Sequence, residues 1–480
     1  MDKTLDYLII IAFLIGVALF GIFKGGKQNT VEDYFLGSKN VPWWAVMFSI
    51  VAAETSTLTF ISIPGLAYLT NLNFLQVTFG YLIGRIIIAV FFLPSYFTGE
   101  LNTAYAFLEN RFGQKTRSFS SIVFLFTRTA ADGVRLFATA IPLKLMLGID
   151  YTTAIVIIAI MTLAYTITGG VKGIIWVDVI LMGIYLGGAL LAGYFLVSHY
   201  LPDGFNSIIT AAQADDKLSI INLGFNSGSI AEFFAQPYTL ISGLLGGAFL
   251  SMASHGTDQL IVQRLLSTQN LKQAQKAIIG SGIIVIIQFI IFLLVGVALY
   301  AFYGKLNLRS DEVFPKFIIE SLPTPYSGII IAGLFAAAMS TLAGSISALS
   351  SSTMLDLYQP FKKNRNKNND LKVSRMFTIF WAIMLIFAAL FFMNSPQTVV
   401  ELALSIASFT YGGLLGTFML GLFVKNAKQE DALAAFTGGI FVMVTVISLH
   451  LVAWTWFTII GVAATLLIGT FLSYLSNNKI

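Results

Sequence analysis

Between Ala52 and Thr59 an apolar run holds one acid, Glu54, and four hydroxyls, Thr55, Ser56, Thr57 and Thr59. Polar groups at such a depth are costly in hydrocarbon unless they line a polar cavity. A helix that unwinds there frees backbone carbonyls, and carbonyl and hydroxyl oxygens are the ligands a hard ion such as sodium prefers. A second hydroxyl-rich run, Ser340-Thr341-Leu-Ala-Gly-Ser345-Ile-Ser347-Ala-Leu-Ser350, lies far along the chain. Helical Ser and Thr often only bond the carbonyl four residues back. That covers most of these hydroxyls but need not cover the adjacent pair Ser340-Thr341. Arg135 is a third candidate, because its planar fork of donors matches a carboxylate. Asp132, three residues earlier on the same helical face, offers it a local partner instead.

Other chemistries lack their residues. The three histidines, His199, His255 and His450, lie far apart and form no HExxH pair, and no GxxxxGK[ST] phosphate loop is present. There is no cysteine, hence neither a disulfide framework nor a thiolate metal site. Neither an enzyme nor direct drive by ATP is expected. His255 reads as a packing or gate residue.

The elements that hold these residues are membrane helices. The chain is 57% apolar and 11% charged, where a soluble domain carries roughly a quarter charged residues. Apolar runs of about 20 residues, enough to cross ~30 Å of hydrocarbon, recur from end to end. About thirteen spans are expected, near 4–23, 42–68, 73–98, 119–148, 151–169, 173–199, 237–257, 277–304, 326–355, 375–394, 399–424, 430–450 and 453–475. The first begins acidic and lacks a small-residue cleavage site, so it reads as a retained helix.

Orientation follows Lys and Arg in short loops. Lys24, Lys27, Lys39, Arg111, Lys115, Arg117, Lys172, Arg264, Lys272, Lys276, the 362–375 stretch, Lys425, Lys428 and Lys479 fall on one side. Only Lys3, Lys217, Lys305, Arg309 and Lys316 fall on the other. The N-terminus is therefore expected outside and the C-terminus in the cytoplasm of a cell-membrane protein. One transmembrane domain fills residues 1–480, with a polar external loop and short helix over about 200–236 and a solvated loop over 362–370.

The second and seventh spans fit the pattern of secondary transporters, in which two inverted repeats each open with an interrupted helix. They lie five spans apart, as two five-helix repeats after one extra helix require. The seventh contains Gly243, Gly246 and Gly247, for which tight helix packing is the competing reading. A channel would line its pore with rings from repeated subunits, whereas this chain offers one asymmetric cavity.

Five separated motifs carry a family resemblance. They are Ala52-Ala-Glu-Thr-Ser-Thr-Leu-Thr-Phe-Ile-Ser-Ile-Pro-Gly65, Ala104-Tyr-Ala-Phe-Leu-Glu-Asn-Arg-Phe-Gly113, Gly169-Gly-Val-Lys-Gly-Ile-Ile-Trp-Val-Asp178, Asp258-Gln-Leu-Ile-Val-Gln-Arg264 and Ala337-Ala-Met-Ser-Thr-Leu342. Together they resemble the sodium/solute symporter family over nearly the whole chain. The resemblance implies an all-α, LeuT-like five-plus-five core over about 42–424, with a leading helix at 4–23 and trailing helices at 430–475. It also implies sodium as the coupling ion and a small organic solute as cargo, with no nucleic acid and no obligate protein partner.

Carried over by position, the sodium site would use the carbonyls of Ala52, Thr55 and Ala337 and the hydroxyls of Ser340 and Thr341. Some relatives hold a second sodium with hydroxyls just beyond that pair and an acid at the position of Asp178. Here those positions are Ala343 and Gly344, which reduces the second set to Asp178 and Ser345. Asp178 has two other candidate roles, organising the cytoplasmic gate and bonding nearby backbone and hydroxyls. Solute contacts are expected from Glu54, Ser56, Thr57, Thr59, Gln76, Arg135 and Ser251. In the sialic acid branch a comparable arginine binds the sugar's carboxylate, so a carboxylated sugar is the expected solute. The alternatives are an amino acid, a monocarboxylate or a neutral sugar. Glu54 could exchange protons, stay charged beside sodium, or accept donors from the solute.

Overall fold

The computed structural model describes residues 4–225, 228–362, 367–393 and 399–477. Among them the chain is helical, with one isolated bridge, Val41 to Thr268. Backbone amides in hydrocarbon have to be satisfied within their own segment, so apolar runs of this length fold as helices. In order these are α1 (Thr4–Gly25), α2 (Val31–Leu36), α3 (Trp43–Glu54), α4 (Thr57–Leu69), α5 (Leu75–Ile87), α6 (Leu93–Thr98), α7 (Ala106–Phe112) and α8 (Gln114–Leu147). There follow α9 (Tyr151–Phe195), α10 (Phe205–Ala214), α11 (Ile230–Ala235), α12 (Gly247–Gly256), α13 (Gln259–Leu266) and α14 (Leu271–Tyr303). The last are α15 (Ser310–Glu320), α16 (Tyr326–Ser352), α17 (Lys367–Phe392), α18 (Val399–Phe423), α19 (Gln429–Ser448) and α20 (Phe457–Asn477).

Eight helical stretches are long and apolar enough to cross a membrane, and the bent pair α3 and α4 makes nine among the described residues. All thirteen expected spans fall on helices, and the shortfall has local causes. Helix α8 carries Arg128, Asp132 and Arg135. The fifth and sixth expected spans run on as α9 through a bend at Gly170. The seventh falls on the π turn Ser242–Gly246 and α12, a shorter helix, and of α18 only the stretch Thr410–Phe423 is described throughout. Gly170 has φ 57° and ψ −163°, and a β-carbon there would lie 2.7 Å from the Tyr34 carbonyl oxygen, so the bend needs glycine. The loop over 200–236 holds two short helices, α10 and α11, where one was expected. Residues 363–366, Lys3 and Lys479 lie outside the described residues.

Burial locates the core. Over the most apolar eighteen residues of each, 94% of residues are buried in Tyr326–Phe361, which contains α16, against 33% in α1 and 22% in Asn369–Phe392 of α17. The hydroxyl-rich helix is thus the central one, packed on α9, α8, α3 and α1. Its serines face protein.

Two breaks interrupt helices beside it. Helices α3 and α4 meet at 68°. Thr55 is extended there, and Ser56 caps α4 by accepting the Thr59 amide at 3.4 Å. The second break lies at Thr257–Asp258, where Asp258 caps α13 by accepting the Leu260 amide at 2.9 Å. This decides between the two readings of the glycine stretch in favour of close packing. The helix runs on through Gly243, Gly246 and Gly247 by a π turn. These glycines admit neighbours instead, since a β-carbon would lie 2.9 Å from Gln76 Cβ at Gly243 and 2.4 Å from the Val77 carbonyl oxygen at Gly247.

Candidate sodium and solute site

The first break releases the oxygens the sequence points to. The Ser56 amide turns to the Glu54 carbonyl at 3.1 Å, which leaves the Ala52 carbonyl to the Tyr185 hydroxyl at a long 3.4 Å. Because the Thr59 amide goes to the Ser56 side chain, the Thr55 carbonyl is freed as well. On α16, Ser340 Oγ donates to Asp178 Oδ1 at 2.6 Å. Thr341 Oγ1 is buried with no hydrogen-bond partner among the described residues. An orphaned buried hydroxyl calls for an explanation, and a cation is one its oxygen can satisfy.

Asp178 ties the two sides together. Its Oδ2 accepts from Ser49 of α3 at 2.5 Å and from Arg264 Nη2 of α13 at 3.1 Å, while Oδ1 holds Ser340. Arg264 Nε also donates to Ser49 at 2.8 Å, and Arg264 Nη1 to the Leu260 carbonyl at 2.8 Å. Ser345, paired with Asp178 in the expected second sodium set, faces elsewhere: its hydroxyl donates to Asp132 and lies 2.9 Å from the Thr341 carbonyl. The structure does not bring Asp178 and Ser345 to a common partner.

The expected solute residues divide in the same way. Glu54, Ser56 and Thr59 are partly exposed at the break. Thr57 is turned inward and donates to the Leu334 carbonyl at 3.2 Å, fastening α4 to α16. Gln76 is buried and fully engaged, donating to the carbonyls of Asn73 and Tyr238 and accepting the Asn222 amide at 3.2 Å. Its work is to anchor the loop before α12. Ser251 is buried against Gly84, its hydroxyl without a partner among the described residues. Arg135 spends one donor on Asp132 at 3.2 Å and is 26% exposed. It opens into a crevice lined by Phe124, Thr127, Ala131, Asp258 and Tyr411, so it addresses the second break, and Glu54 to Thr59 do not line that crevice.

Several residues were missed from the sequence. Glu54 is paired with Arg85 of α5, a fully buried guanidinium. His255 of α12 lies 3.0 Å from Arg85 and 3.4 Å from Glu54, and Ser281 accepts from Arg85 at 2.9 Å. The two broken helices are therefore joined beside their breaks by an ionic cluster. Gln288 of α14 donates to Thr55 Oγ1 at 2.7 Å. At the second break Arg128 joins Asp132 at 2.5 Å and Asp258 at 3.0 Å, and Tyr411 donates to Asp258 at 3.1 Å. A lone Arg in Gly84-Arg-Ile-Ile-Ile and a lone Gln in Ile286-Ile-Gln-Phe-Ile-Ile were visible signals, because an ionisable or strongly polar side chain inside an apolar run implies a partner.

Two facing breaks, freed carbonyls and a buried hydroxyl pair on a central helix define an ion-coupled secondary transporter. The chain belongs to the sodium:solute symporter family, whose model matches residues 34–439. It is 27% identical to the sodium/sialic acid symporter NanT of Aliivibrio fischeri, over 97% of this chain and 92% of that one. It is 28% identical to the sodium/sialic acid symporter SiaT of Proteus mirabilis, over 89% and 86%. A solved structure of a sodium-coupled sialic acid symporter, substrate-bound and outward-open, superposes with a TM-score of 0.89 at 26% identity, covering 98% of each chain. The all-α membrane fold expected from the sequence holds, and sodium is the coupling ion of a multi-pass symporter.

Proposed function

We propose that this protein imports a carboxylated sugar, sialic acid, together with sodium by alternating access, with its N-terminus outside and its C-terminus in the cytoplasm. Sodium would sit among the carbonyls of Ala52, Thr55 and Ala337 and the hydroxyls of Ser340 and Thr341. The unpartnered buried Thr341 hydroxyl supports that reading most directly. The solute would bridge the breaks, its carboxylate at Arg135 and its hydroxyl and amide donors at Glu54, Ser56 and Thr59. Two observations favour an acid. Arg135 retains donors beyond its single bond to Asp132, and two of this chain's relatives, matched over 92% and 86% of their own length, are sodium/sialic acid symporters.

Sodium binding holds α3 against α16 and so pre-orders the break for solute. The doubly loaded state then favours closure outside and opening inside. The test is uptake of labelled N-acetylneuraminate into proteoliposomes under an inward sodium gradient. Uptake that vanishes in choline and falls steeply in Arg135→Ala is expected. No uptake, or uptake unchanged in Arg135→Ala, overturns the choice of solute, and uptake surviving in choline overturns the coupling ion.

A further inference from the structure

Charge around the two breaks is already balanced. Among the described residues four arginines, Arg85, Arg128, Arg135 and Arg264, meet four carboxylates, Glu54, Asp132, Asp178 and Asp258, and each is in an ion pair with a member of the other set. The oxygens assigned to sodium are neutral carbonyls and hydroxyls. The one carboxylate in contact with that set, Asp178 through Ser340, is held by Arg264, and the pair is 0% and 2% exposed. The guanidinium also fills the space beside the hydroxyl helix, since a β-carbon on Gly344 would lie 2.7 Å from Arg264 Nη2. A buried ion without a compensating charge is strongly disfavoured. A first sodium therefore finds no fixed negative charge to neutralise it, and a second finds neither charge nor space.

We propose that the protein carries one sodium per monoanionic solute in an electroneutral cycle, the solute's carboxylate balancing the ion, and that Arg264 acts as a positioning residue that keeps Asp178 closed to a second sodium. The stoichiometry rests on the solute being an acid, as proposed for its function. The role of Arg264 does not.

Two measurements separate these claims. The first counts radioactive sodium bound per purified protein at saturation. One ion is expected in the wild type and in Arg264→Lys, which keeps the charge. Two are expected in Arg264→Met, where Asp178 is released, and one again in the double variant Arg264→Met/Asp178→Asn, which also guards against a variant that merely misfolds. Two ions in the wild type, or one in a folded Arg264→Met, overturns the proposal whatever the solute is.

The second imposes a potassium diffusion potential with valinomycin across proteoliposomes and follows accumulated N-acetylneuraminate. Accumulation unchanged by an inside-negative potential is expected. A cycle moving one net charge would accumulate roughly fiftyfold more for each 100 mV, and that result overturns electroneutrality. A complete lack of uptake counts against the solute assignment alone, since the sodium count still decides the role of Arg264.

Discussion

The break at Thr55–Ser56 and the break at Thr257–Asp258 occupy matching places in the two halves, and each has an acid beside it answered by an arginine from another helix. They differ in how the carbonyls at the end of the first helix are held. At the first, the Ala52 carbonyl meets only the Tyr185 hydroxyl at a long 3.4 Å and the Thr55 carbonyl is freed, at the negative end of the α3 dipole. At the second, the end of α12 is taken up, Ala253 by the Thr257 hydroxyl at 2.8 Å and Gly256 by the Tyr96 hydroxyl, and Asp258 caps α13 as Ser56 caps α4. One break is thus built to receive a cation, while the other is closed on itself and offers its arginines and Tyr411 to the crevice at Arg135. Equivalent topology carries unequal chemistry.

The largest test of that asymmetry is removal of the cation that holds the first break's acid. Arg85→Met leaves Glu54 beside His255 without its guanidinium, and loss of one partner of a buried pair costs about 3–5 kcal/mol. Denaturant or thermal unfolding in detergent should register it, and Glu54→Gln/Arg85→Met should recover most of the loss. If the double variant is no better than the single one, the cluster is not acting as a charge pair.

Thr341→Val comes next. Deleting one oxygen from around an ion is comparable to losing a charge-assisted hydrogen bond, about 1.5–3 kcal/mol, so half-saturating sodium should rise roughly tenfold to a hundredfold. Unchanged sodium affinity would remove Thr341 from the site.

The smallest effect belongs to the second break. Asp258→Asn keeps an oxygen for the Leu260 amide but weakens the tie to Arg128, which retains Asp132. The expected cost is about 1 kcal/mol of stability and a slower maximal uptake with half-saturating sodium unchanged. A rise in half-saturating sodium as large as that in Thr341→Val would erase the distinction between the breaks.

Much of this was legible in the sequence because membranes enforce a simple rule on polar groups. Glu54 with its four hydroxyls marked the first break, and the adjacent pair Ser340-Thr341 marked the facing side. The second break was left open because Gly243, Gly246 and Gly247 satisfy two demands equally well, unwinding and close approach, and only what packs against them, α5 at Gly243 and Gly247 and Thr455 at Gly246, decides. Thr57 and Gln76 were legible as polar, but their bonds to the fold were not, since their partners Leu334, Tyr238 and Asn222 are distant in sequence. The same holds for Ser345, which lies a turn from the sodium pair yet faces Asp132.

The near-complete enclosure of α16 has a consequence for how the surrounding bilayer acts on the protein. Helices α1, α17 and α20 turn exposed apolar side chains outward, among them Phe23, Phe387 and Leu467, the surface a bilayer would cover. A change in hydrocarbon thickness is met by tilt of these outer helices, at a modest cost per ångström of mismatch. The hydroxyl pair stands on a helix that scarcely meets acyl chains. Thinner or thicker vesicles should therefore alter the rate at which the protein changes conformation while leaving its affinity for sodium in place.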